Sequence, residues 1–66
     1  MPITGLDLRA ERRAEDITVV DIAARMGLSR QAIHNLERSA VLTVERVEQY
    51  RQALADAIKA SQERVA

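Results

Sequence analysis

Two short amphipathic segments meet at Gly27-Leu28-Ser29, and this corner constrains the chain more than any other feature. Gly27 is one of only two glycines, and Pro2 is the only proline. Before the corner, Thr18 followed by Asp21 has the spacing of a helix start, and Ile22, Ala23 and Met26 fall on one helical face. A glycine just past such a stripe supplies the left-handed residue that ends a helix. Ser29 is then the N-cap of a second helix, whose apolar side holds Ile33 and Leu36. A turn this tight forces the two helices to cross steeply and approach closely. That approach needs a small residue, and Ala23 lies four positions before Gly27.

With so few breakers and so much Ala, Arg, Glu and Leu, the whole chain reads as helical. Thr4 and Asp7 repeat the capping spacing and predict a first helix over 6–15. The second is predicted over 19–26, and the third from Ser29 as cap to Arg38. Residues 39–42 carry no helix-starting signal and read as a loop. After Thr43 nothing breaks a helix over 44–64. The expected fold is all-α, a compact bundle of four helices in one domain spanning 1–66, with its central motif at 18–38 and a long last helix. The chain has 66 residues, and one so short hides only about 60% of the surface its unfolded form exposes. It has no Cys and a single His, His34, so no disulfide, metal site or cofactor is expected. Helix packing or self-association must supply the stability. No apolar run reaches about 18 residues, and no basic-then-apolar leader opens the chain. A cytoplasmic protein without membrane contact is expected.

The side of helix three opposite Ile33 and Leu36 carries Gln31, His34, Asn35 and Arg38, with Arg30 on its flank. Gln and Asn amides can pair in bidentate fashion with adenine, Arg with guanine, and His with an acceptor. Formal net charge is zero, with ten Lys plus Arg against ten Asp plus Glu. That argues against a protein coating nucleic acid by charge alone. Nine of the ten cations are Arg, the residue suited to bidentate contacts with guanine edges and phosphates.

The stretch Thr18-Val-Val-Asp-Ile-Ala-Ala-Arg-Met-Gly-Leu-Ser-Arg-Gln-Ala-Ile-His-Asn-Leu-Glu37 resembles the helix-turn-helix of the phage-repressor and Cro family, the XRE type. Leu8-Arg9-Ala10-Glu11-Arg12 is similar to that family's first helix. The resemblance implies a sequence-specific regulator that binds double-stranded DNA, with base contacts from Arg30, Gln31, His34 and Asn35. It implies phosphate contacts from Thr18, Ser29, Arg38 and Ser39, and an ion pair between Arg12 and Glu37. Where the family often has a phosphate-touching Gln, this chain has Val19. Where the family usually continues into two short helices, this chain has one long helix.

In that last helix Val44, Val47, Arg51, Leu54, Ile58, Ser61 and Val65 recur at spacings of three and four. Its first turns, through Val47, Tyr50 and Leu54, are expected to cover the motif. Its end is expected to pair with a second copy through Leu54, Ala57, Ile58, Ser61 and Val65, flanked by Ala53 and Ala60. A homodimeric repressor on an inverted-repeat operator is the function this supports. Alternatives are an antitoxin-type DNA-binding partner of a toxin, an adaptor bundle and a sigma-factor-like promoter-binding domain. The last resembles Gly27 to Ile33 but continues with a basic stretch, whereas 39–44 is uncharged. An enzyme is not expected, since the chain has no Gly-rich phosphate loop and its acids sit at caps or exposed positions.

Overall fold

The protein is described by a computed structural model over residues 3–65, with side chains as far as residue 63. Four helices follow one another: α1 (Gly5–Ala14), α2 (Val19–Met26), α3 (Arg30–Glu37) and α4 (Val44–Val65). The first helix thus begins one residue earlier than its sequence suggests and ends at Ala14, with Glu15 as C-cap.

The start signals differ in how fully they act. At α1 the box is reciprocal: the Asp7 N–H donates to the Thr4 hydroxyl, and the Thr4 N–H donates to the Asp7 carboxylate at 2.9 Å. At α2 only half forms. Thr18 accepts from the Asp21 N–H at 3.1 Å, but the Asp21 carboxylate takes the Arg25 guanidinium at 2.7 Å instead. The expected second box is therefore a one-sided cap, because an i,i+4 ion pair competes for the same acid. Gly27 stops α2 with φ 69°, and the Leu28 N–H turns back to the Ala23 carbonyl at 2.9 Å. Asp16, just past α1, is the one non-glycine residue with positive φ among those described, at 57°.

Leu8, Ile22, Ala23, Ile33 and Leu36 form the inner face of the first three helices, joined by Ile17 from the link before α2. Tyr50, Ala53, Leu54 and Ala57 close it from α4. Small Ala23, Ala53 and Ala57 let α2 and α4 lie close together, where bulkier residues would hold them apart.

This packing corrects the expected α4 seam. Leu54 and Ala57 are 6% and 1% exposed, so the chain's own core uses them and a second copy cannot reach them. Arg51 and Val44 lie outside that face, and Val44 is exposed. Ile58 is half-buried against the core and Ser61 is exposed; the Val65 side chain lies outside the described residues. Twenty-two helical residues rise about 33 Å, so α4 sets the 38 Å long dimension of the molecule. Its final turns extend past Ala57, the last fully buried position. Among the described residues no helix is long and apolar enough to cross a membrane.

A second close approach carries more consequence for the site. The Gly5 N–H donates to the Ser39 carbonyl at 2.8 Å, so the start of α1 sits directly on the end of α3. A Cβ at Gly5 would stand 2.2 Å from the Leu36 carbonyl oxygen and 2.6 Å from the Glu37 carbonyl carbon. Only glycine fits there.

Candidate nucleic-acid interface

Helix α3 is positioned from both ends. At its start the Ser29 hydroxyl accepts the Ala32 N–H at 3.1 Å. Inside, Ile33 and Leu36 are buried, which fixes the rotation of the helix about its axis. Gln31, His34, Asn35 and Arg38 therefore emerge on the solvent side, and Arg30 is exposed with them. The Gln31 amide nitrogen donates to the Asn35 amide oxygen at 3.1 Å. The two amides thus share one orientation before any ligand arrives, which lowers the entropy lost on contact.

The only acid on α3 is Glu37, and it points inward at 2% exposure. Arg12 reaches it with two hydrogen bonds, Nε to Oε2 at 2.8 Å and Nη2 to Oε1 at 3.1 Å. The third guanidinium nitrogen, Nη1, donates to the Ile17 carbonyl at 2.8 Å. From α4, the Tyr50 hydroxyl donates to Glu37 Oε2 at 2.6 Å. Burial by itself would raise the Glu37 pKa, but the donors from Arg12 and Tyr50 outweigh it and hold the carboxyl below its ordinary value. Arg12 is shifted upward, chiefly by its hydrogen bond to Glu37. Burial, and then the bond to Glu37, pushes the Tyr50 phenol well above its ordinary range. The carboxylate is ionised and fully partnered, and the outward face of α3 keeps only neutral amides, His and Arg. Such a face repels no phosphate.

The expected phosphate set is divided by its hydrogen bonds. Arg38 is exposed at the C-cap of α3. Thr18 is exposed at the α2 N-terminus, where the opening N–H groups and the helix dipole favour an anion. Ser29 keeps a hydroxyl proton to donate while its oxygen serves as the cap. Ser39 drops out of the set: its hydroxyl donates to the Val41 carbonyl at 2.7 Å and its N–H to the Leu36 carbonyl at 3.2 Å. Both donors are spent shaping the loop after α3. Val19 packs against the core.

Two participants escape sequence reading. Arg9 joins Arg12, His34, Glu37 and Arg38 around a shallow cleft of about 260 Å³ beside α3, adding an exposed cation to its edge. Tyr50 is expected from its spacing to cover the motif, but its hydroxyl bond to Glu37 is a pairing that no local signal encodes. Arg51, an interruption in the expected stripe, instead grips Glu11 of α1 at 2.7 Å, which raises its pKa through that hydrogen bond.

A family model described as helix-turn-helix matches residues 8–57, three quarters of the chain, from the first core residue of α1 to the last fully buried one of α4. No curated protein and no solved structure matches the chain.

Proposed function

We propose, from the premise that this chain belongs to the XRE-type helix-turn-helix family of DNA-binding regulators, that α3 reads a specific duplex site and that two copies repress from an inverted repeat. The family's domain is regulatory rather than catalytic. One observation carries the reading: Arg30, Gln31, His34, Asn35 and Arg38 are exposed on α3 while Ile33, Leu36 and Glu37 are buried. Gln31, His34 and Asn35, with Arg30 at the leading end, are the base-reading set. Arg38, Ser29 and the Thr18 end of α2 hold the backbone on either side.

A single such helix reads roughly four base pairs, too few to define a site alone, and a symmetric pair reads two half-sites about 34 Å apart. With Leu54 and Ala57 committed to the core, the contact between copies falls to α4 beyond Ala57, at Ile58, Ser61 and Val65. A protein partner such as a toxin or a polymerase would meet the same end of α4.

Selection of bound sites from a pool of random duplexes tests the proposal. An enriched inverted repeat is expected; a pool that stays random after repeated rounds would refute specific reading. On the enriched site, Gln31→Ala should cost about 1–3 kcal/mol and relax one base position, whereas Arg38→Ala should weaken all duplexes and flatten the salt dependence. Light scattering at tens of micromolar that gives a monomer would refute the dimer.

A further inference from the structure

Tyr50 is the chain's only aromatic residue, it is fully buried, and it lies on α4, outside the motif that holds α2 and α3. A buried hydroxyl is costly unless bonded, and an apolar residue of similar volume would fill the same space without that cost. The hydroxyl has one acceptor, Glu37 Oε2, at 2.6 Å. Glu37 is the final residue of α3, and Arg38, the phosphate-facing cap, follows it directly. Arg12 alone already supplies a bidentate partner to the carboxylate. The tyrosine adds a third direction of restraint, from the one long helix.

We propose that Tyr50 is a positioning residue for DNA reading: its hydroxyl fixes the C-terminal end of α3, so that α4 sets the pose of the reading face. This rests on the DNA-reading assignment above. Two hydrogen bonds tie Glu37 to α1, and the third, from Tyr50, ties the same carboxylate to α4. The Arg38 and Ser39 N–H groups, which return to the Asn35 and Leu36 carbonyls at 3.2 Å, sit on the segment held in this way.

Tyr50→Phe deletes the hydroxyl and keeps the ring. With the variant fully folded at the assay temperature, affinity for the selected site should fall about tenfold, the scale of a lost hydrogen bond to a charged group, and affinity for random duplex should fall by clearly less. Amide hydrogen exchange at Arg38 and Ser39 should quicken more than at Ile22 in α2. Equal losses on both duplexes, a lower melting temperature with unchanged specific affinity, or unaltered exchange at the end of α3 would each overturn the proposal. Because Tyr50 is the sole tyrosine, 3-fluorotyrosine enters at that position alone and covers the case in which the Phe variant does not fold. Its fluorine resonance should shift on the selected duplex and stay still on a random one; a shift common to both would overturn the coupling. Should the wild-type protein select no sequence, the DNA reading fails, while faster exchange at Arg38 and Ser39 in Tyr50→Phe still upholds the anchor.

Discussion

Gly5→Ala offers the sharpest test of the packing, because two effects predict opposite signs. Helix propensity favours alanine over glycine by up to about 1 kcal/mol, so a view of α1 as an isolated helix forecasts stabilisation. The structure forecasts the reverse. The new Cβ would meet the Leu36 carbonyl oxygen at 2.2 Å and the Glu37 carbonyl oxygen at 2.7 Å, both backbone atoms that cannot rotate away. Ordinary carbon–oxygen contacts lie near about 3.3 Å, so α1 must retreat by about 1 Å. Overpacking of this kind costs about 1–3 kcal/mol. The retreat also breaks the Gly5–Ser39 hydrogen bond of 2.8 Å, worth about 1 kcal/mol more. After the propensity gain is subtracted, a net loss of about 2 kcal/mol remains, which lowers the melting temperature of a domain this small by roughly 10 °C. Circular-dichroism melts and urea titrations of the two proteins measure it directly. A Gly5→Ala variant as stable as the parent, or more stable, would show that α1 does not rest on the end of α3 in this way.

Gly27→Ala should also destabilise, but by only about 1 kcal/mol, since its φ of 69° is strained for alanine while no atom lies within 4 Å of the new Cβ; denaturant midpoints of the two alanine variants give the comparison. Asp16→Gly should raise stability by up to about 1 kcal/mol, because Asp16 holds a left-handed φ of 57° that glycine adopts freely; an unchanged midpoint would contradict this. The Glu37 pKa is depressed in the folded chain, so its contribution is complete above the ordinary 4.5 and is lost as pH falls through the lower folded value. Melting temperatures should therefore drop on acidification below 4.5, and Glu37→Gln, already less stable at neutral pH, should show a shallower drop. At the other end, the raised Tyr50 phenol gives stability that is complete below 10.0 and declines as pH climbs above it, a decline that Tyr50→Phe should remove.

Local signals made much of this molecule legible. Thr18 and Gly27 bound α2 at the residues the structure shows, because a cap and a left-handed stop act through their own backbone neighbours. The outward set on α3 follows from Ile33 and Leu36, since two buried positions fix a helix's rotation. The α4 stripe was harder. Spacings of three and four fit both the row through Arg51 and Ser61 and the row through Tyr50 and Ala57, and only packing against α1 and α2 selects the second. Ala53 and Ala57 carried the clue, as small side chains mark where another helix comes near. Gly5 and the Tyr50–Glu37 bond depend on how α1, α3 and α4 meet, and Ser39 was lost from the phosphate set to the loop it folds. Nothing short of the tertiary arrangement reveals these.

The grip on Glu37 has a thermodynamic corollary. One carboxylate receives donors from α1 and α4 while itself ending α3, and the same guanidinium ties down the Ile17 carbonyl ahead of α2. Neither α1 nor α3 can detach without abandoning an ionised partner in the interior, so opening at that seam is penalised almost as heavily as complete opening. The domain should consequently melt in one step, with calorimetric and van't Hoff enthalpies in agreement, and α3 should persist for as long as the whole fold does.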